Sequence, residues 1–185
     1  MLIQIARVKQ ANVKKGDLLM DNNDILIRLR YALEIKNKEM AEIFKLGGED
    51  VSVPDVIKIL TKSDEDEDEN SDQIKCNNSM LDSFLNGLII YKRGKQDPKP
   101  GQPATSPEPS LNKSANVNNL LLKKVKIALA LTTEDMLDIF DEAGIRVTKG
   151  ELGALLRKEG HKNYKECGDK FARNFLKGLA FKYRG

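Results

Sequence analysis

Two stretches of this chain are copies of one another, and that duplication constrains the fold more than any other feature. The segment from Asn22 to Leu33 aligns without a gap with the segment from Asn118 to Leu129. The same register carries Met40, Ile43, Phe44 and Gly48 onto Met136, Ile139, Phe140 and Gly144. A second block pairs Cys76 with Cys167, Phe84-Leu85 with Phe175-Leu176, Gly87-Leu88 with Gly178-Leu179, and Arg93-Gly94 with Arg184-Gly185. The register slips by five residues between the blocks, where the first copy carries the acidic run from Asp64 to Glu69. That run therefore belongs to a loop and not to the shared framework. The expected organisation is an extension over residues 1–20, a first repeat over 21–94, a linker over 95–117 and a second repeat over 118–185. The linker holds all but one of the six prolines, which is tether composition. Met20, immediately before the first repeat, is an alternative initiator.

Each repeat reads as about four short helices. In the second, Leu121, Leu122, Val125, Ala128 and Leu129 recur at helical spacing behind an Asn cap at Asn118 or Asn119. Thr133, and Asn37 in the first repeat, are placed to cap a second helix with the stripe Met136, Ile139, Phe140 and Ala143, ending at Gly144. Thr148 followed by Glu151 is a capping-box pattern for a third helix, with Leu152, Leu155 and Leu156 buried; Ser52 and Asp55 form a weaker version. A fourth helix starts near Cys167 and buries Phe171, Phe175, Leu176 and Leu179. Its interior Gly178, matched by Gly87, predicts close approach of another backbone. Helices of about three turns are marginal alone, and a unit of roughly 70 residues holds only a small core. The fold class is thus all-α, with two tandem repeats packed in pseudo-twofold symmetry as in a homodimer. Two beads on a flexible string are the alternative.

Composition narrows the class. Aromatics are 5% and Trp is absent, so aliphatic seams and not an aromatic-rich sheet form the core. Two cysteines cannot staple a secreted fold of this size. No apolar run reaches a membrane span, and the first twenty residues lack a signal peptide's apolar stretch and cleavage site. The expected setting is the cytoplasm, away from membranes.

The net charge of +3 hides an asymmetry. Residues 22–94 carry 10 Lys and Arg against 15 Asp and Glu, and residues 118–185 carry 14 against 9. The excess is concentrated at the carboxyl end. Arg157, Lys158, His161, Lys162, Tyr164 and Lys165 precede the last helix, and Lys170, Arg173, Lys177 and Arg184 lie along it. Such a cluster suits a polyanion, its cations neutralising phosphates and Tyr164 stacking on a base. A solvated helical face is the competing account, and the acidic run at 64–69 is a candidate mask for the basic surface. A helix-turn-helix reading of Met136 to Arg157 is poor, since the exposed positions after Thr148 lack Arg, Asn and Gln for base edges. Backbone contact to nucleic acid is the better expectation.

Enzymatic and metal chemistry find little. The loop from Gly160 to Asp169 holds His161, Tyr164, Cys167 and Asp169, and a helix N-terminus lowers a thiol pKa. Cys76 occupies the matching place in the first repeat without a histidine, which points to a buried structural thiol. One His and two distant Cys give no metal-ligand spacing, and the acidic run lacks the EF-hand pattern. No phosphate loop, nucleophile elbow or dinucleotide fingerprint is present, so neither metal nor cofactor is expected.

Several separated motifs carry a resemblance: Asn22 through Leu33, Phe84 through Ile89 with Lys92-Arg93-Gly94, and Gly160 through Tyr164 with Cys167-Gly168-Asp169. Together they resemble the bacterial YehS-like family, whose members contain two copies of a short domain of unknown function. The resemblance spans about residues 21–185, implies a cytoplasmic bacterial protein with a duplicated helical unit, and supplies no activity or site. The functional expectation is a non-enzymatic binding or regulatory protein whose basic second repeat contacts nucleic acid. A protein-interaction adaptor and an enzyme with a site in the 160–169 loop are the alternatives.

Overall fold

The computed structural model describes residues 20–62, 72–95 and 116–185. The acidic run, most of the Pro-rich linker and most of the amino-terminal extension lie outside these, and so does the expectation that the acidic run masks the basic surface. The described residues contain eight helices: α1 (Asn22–Leu33), α2 (Asn37–Leu46), α3 (Val53–Leu60) and α4 (Asn78–Arg93) in the first repeat, α5 (Val117–Ala128), α6 (Thr133–Glu142), α7 (Lys149–Leu156) and α8 (Asp169–Arg184) in the second.

The sequence places the helices correctly but several caps a residue or more late. Helix α5 is capped by Asn116 and α1 by Asp21, whose carboxylate accepts from the Asp24 N–H at 2.8 Å. Asn118 and Asn119 are thus inside the first turn, and their side chains serve another purpose. The caps of α6 and α2 are Thr132 and Lys36 in place of Thr133 and Asn37. Thr148 and Glu151 form the expected capping box, and Ser52 accepts from the Asp55 N–H. Gly144, at φ 82°, follows Ala143, the C-cap of α6, as a helix stop should.

Helices α4 and α8 begin two residues after their cysteines, behind the caps Asn77 and Gly168, and the cysteines' backbone N–H groups are bonded elsewhere. Asn23 spans three strands of chain: its Oδ1 accepts from the Cys76 N–H at 3.0 Å, and its Nδ2 donates to the carbonyls of Ile59 and Ile74 at 2.9 and 2.8 Å. Asn119 repeats the pattern with Cys167, Leu155 and Lys165, each at 2.8 Å. Both amides are nearly inaccessible, and full pairing is what makes a buried amide tolerable. The adjacent Asn22 and Asn118 donate to the carbonyls of Cys76 and Cys167, both at 3.1 Å. The paired asparagines fasten the start of α1 or α5 to the end of the third helix and the loop before the fourth.

Within each repeat the long fourth helix crosses the second at a glycine. A Cβ on Gly87 would lie 1.8 Å from the Ile43 carbonyl oxygen, and one on Gly178 would lie 2.0 Å from that of Ile139. Backbone contact of this kind brings Phe44 onto Phe84, centroids 5.0 Å apart, and Phe140 onto Phe175 at 5.6 Å.

The repeats are not beads on a string. Helix α1 packs on α8 and α4 packs on α5, so each first helix meets the fourth helix of the other copy. Exchanging the copies exchanges the two seams, which is pseudo-twofold symmetry. Corresponding contacts close both: Arg93 donates to the Ile127 carbonyl at 3.5 Å, and Arg184 to that of Tyr31 at 3.1 Å. One hydrophobic core runs through both repeats.

Candidate functional site

The loop from Gly160 to Asp169 disperses its reactive groups. Cys167 is buried, and burial pushes its thiol up to about 12, with nearby Asp169 adding to the effect. Burial therefore outweighs the expected lowering by the helix terminus. Cys76 behaves alike, its thiol also pushed up to about 12. His161 Nδ1 accepts from the Asn163 N–H at 3.1 Å, and its Nε2 lies 3.4 Å from the Arg157 guanidinium. Tyr164 is half-buried, its phenol pKa raised chiefly by burial. The Asp169 carboxylate accepts from Asn118 at 2.8 Å and from the Met20 backbone at 3.0 Å. Among the described residues no group of His, Cys, Asp and Glu is gathered to hold a metal ion.

The basic residues fall into two sets. Arg157, Lys158, His161, Lys162 and Lys165 are exposed on the segment between α7 and α8, where Lys165 also stands 5.6 Å from the centre of the Phe171 ring. Lys170, Arg173, Lys177 and Arg184 recur on α8 at steps of three, four and seven, which places them along one side of the helix. That side borders α1. Arg184 lies over the Tyr31 ring at 4.0 Å and 3.7 Å from the Glu34 carboxylate, so its charge is partly engaged.

The two seams between repeats differ in charge. On α5, Lys124 is 2% exposed, and its ammonium is held by the Asp82 carboxylate and, at 2.6 Å, by the Asn86 side-chain oxygen, both from α4. By the repeat alignment Arg28 takes the place of Lys124 in the α1/α8 seam, while Arg173 and Lys177 take the places of Asp82 and Asn86. The acceptors of one seam are cations in the other. Burying a like-charged set would be unfavourable, and Arg28 and Lys177 are both exposed. A cleft of about 350 Å³ opens there, with Ile27, Leu176 and Ala180 in its walls and Asp24, Arg28, Tyr31, Lys62 and Lys177 around them.

Arg28 and Lys62 belong to the acidic repeat and fall outside the cluster that sequence reading selects. The signal for Arg28 was its alignment with Lys124, which gains meaning only once α1 is known to pair with α8. Six of the fifteen acids of the first repeat are Asp64 to Glu69, so the charge tally concealed the basic residues around them.

No helix among the described residues is long and apolar enough to cross a membrane. The family model described as "Protein of unknown function (DUF1456)" matches residues 22–94 and again 118–185. The chain is 41% identical over 161 residues to a protein of Escherichia coli (strain K12) described as "Uncharacterized protein YehS", covering 87% of this chain and 95% of that protein. No solved structure matches. With both repeats matched and a relative similar along nearly its whole length, the chain belongs to the DUF1456 family, whose function is unknown.

Proposed function

We propose that this protein is a non-enzymatic, cytoplasmic binding protein whose second repeat contacts a polyanion, nucleic acid, through its phosphate backbone. The observation that carries the reading is the alignment of Lys170, Arg173, Lys177 and Arg184 along one side of α8. Arg28 from α1 adds to the same border. A row of cations on a rigid helix matches the repeating charge of a strand, and its energy comes largely from released counterions. The exposed cations between Arg157 and Lys165 add charge without a preformed surface for base edges. Contact is therefore expected to be insensitive to sequence.

Fluorescence anisotropy with mixed-sequence single-stranded DNA, RNA and duplex DNA, at low and moderate salt, tests it. Four phosphate contacts correspond to a slope of log affinity on log salt of about −3 to −4. Lys162→Glu with Lys165→Glu and Lys170→Glu should weaken all three probes alike. Absence of binding even at low ionic strength overturns the proposal.

A further inference from the structure

The cation row of α8 contains an aromatic ring. Lys170, Lys177, Phe181 and Arg184 follow one another at steps of seven, four and three, so Phe181 stands in line with the cations. Its side chain is 46% exposed, and the Lys177 ammonium lies 5.8 Å from the ring centre. Across the border, on α1, Tyr31 is 57% exposed although the Arg184 guanidinium covers one of its faces at 4.0 Å. Single exposed apolar side chains are ordinary on a surface, but two rings on one cation-lined border form a pattern.

The other seam, built from the same ancestral unit, carries neither feature. By the repeat alignment Ser79, Asn86 and Ile90 hold the places of Lys170, Lys177 and Phe181, and Ile127 holds that of Tyr31. Both isoleucines are half-buried. Where the lysines are replaced, the rings are replaced with them.

We infer that the α1/α8 border binds single-stranded nucleic acid, its bases lying on Phe181 and on the paired Tyr31 and Arg184, its phosphates on Lys170 and Lys177. This deepens the polyanion reading and rests on it. A duplex keeps the faces of its bases inside its own stack, so an exposed ring between cations offers it nothing. A single strand leaves those faces free, and since every base has one, stacking adds affinity without selecting sequence. The closeness of Lys177 to Phe181 lets one nucleotide engage both, phosphate on the ammonium and base on the ring. Tyr164, the ring that the sequence suggests for stacking, is half-buried; Phe181 and Tyr31 take that role.

The test is fluorescence anisotropy of the full chain with a mixed-sequence strand of about 12 nucleotides, as DNA and as RNA, and with the DNA duplex of the same sequence. The strands should bind tighter than the duplex, by a margin that widens with salt, because ion release is smaller for a single strand and stacking is not screened. Phe181→Leu keeps the apolar bulk and removes the ring. It and Tyr31→Leu should each weaken the strands about fivefold or more, and the duplex by less than about twofold. Both side chains are exposed, so the melting temperature should change little. Tyr183 is an exposed ring two residues from Phe181, about 200° round the helix, and Tyr183→Leu should alter neither affinity. The chain has no Trp, so Phe181→Trp places a single reporter in the row. It should keep or raise strand affinity, and its emission should be quenched by the strands and not by the duplex.

Duplex binding as tight as strand binding, full strand affinity in Phe181→Leu, equal loss in Tyr183→Leu, or an unquenched Trp would overturn the inference. If the Lys162, Lys165 and Lys170 reversals still weakened every probe, the polyanion reading would stand without it. No binding of any probe at low ionic strength would remove both and leave the aromatic border to a protein partner.

Discussion

The ammonium of Lys124 on α5 ends against the carboxylate of Asp82 on α4, joining the two repeats through a charge pair that is almost wholly buried. Removing one member leaves the other desolvated and uncompensated. Lys124→Met should therefore destabilise the fold by about 3–5 kcal/mol. Combining it with Asp82→Leu should recover part of that loss, since an apolar pair carries no desolvation penalty. Urea unfolding of the two single variants and the double variant measures the coupling. Additive losses would show that the pair is not coupled.

Asn119 satisfies one donor and two acceptors at once, so Asn119→Ala strips partners from the Cys167 N–H and from the carbonyls of Leu155 and Lys165. The expected cost is about 3 kcal/mol, and Asn23→Ala should cost a similar amount. Thermal unfolding gives the size. Faster hydrogen exchange of the Cys167 amide locates the cause.

Gly87 and Gly178 have no room for a methyl group, since each Cβ would fall within 2.0 Å of a carbonyl oxygen on the neighbouring helix. Gly87→Ala and Gly178→Ala should each lose about 3 kcal/mol as α2 or α6 is pushed away. Gly153 in α7 has nothing within 4 Å of its Cβ position, and Gly153→Ala should gain up to about 1 kcal/mol through helix propensity. A uniform response of the three variants in denaturant unfolding would contradict the close-approach assignment.

Both thiols are pushed by burial from an ordinary 9.0 to about 12. The folded chain holds these protons more tightly than the unfolded chain. The associated stability is fully present below pH 9 and is lost as pH rises from 9 toward 12. Unfolding free energy should fall as pH is raised above about 9 in the native protein, and less steeply in Cys76→Ala with Cys167→Ala. At about pH 8, iodoacetamide should label either thiol only as fast as the fold opens. Rapid labelling of the folded protein would refute the burial.

Periodicity was enough to find the helices, because aliphatic residues at three-and-four spacing have few alternatives to a helical stripe. The glycines were legible too: a helix-breaking residue retained at Gly87 and Gly178 had to answer a contact. The paired asparagines were visible only as the start of the repeat. Their partners lie 36 to 56 residues away, and local spacing carries no trace of such bonds, so the sequence pattern alone points to a cap. The carboxyl-terminal cations were legible as a cluster, but not their neighbours. Which cations share a surface depends on α1 lying against α8, a pairing that the chain order does not encode.

The unequal seams also make the two copies non-interchangeable. If two second repeats assembled in the same manner, both interfaces would set Lys124 against Arg173 and Lys177, in place of Asp82 and Asn86. A first repeat facing a second avoids that conflict at one interface and leaves it unburied at the other. The two halves have thereby diverged in kind: a second repeat severed from the first would meet like charge wherever it met another of its own kind.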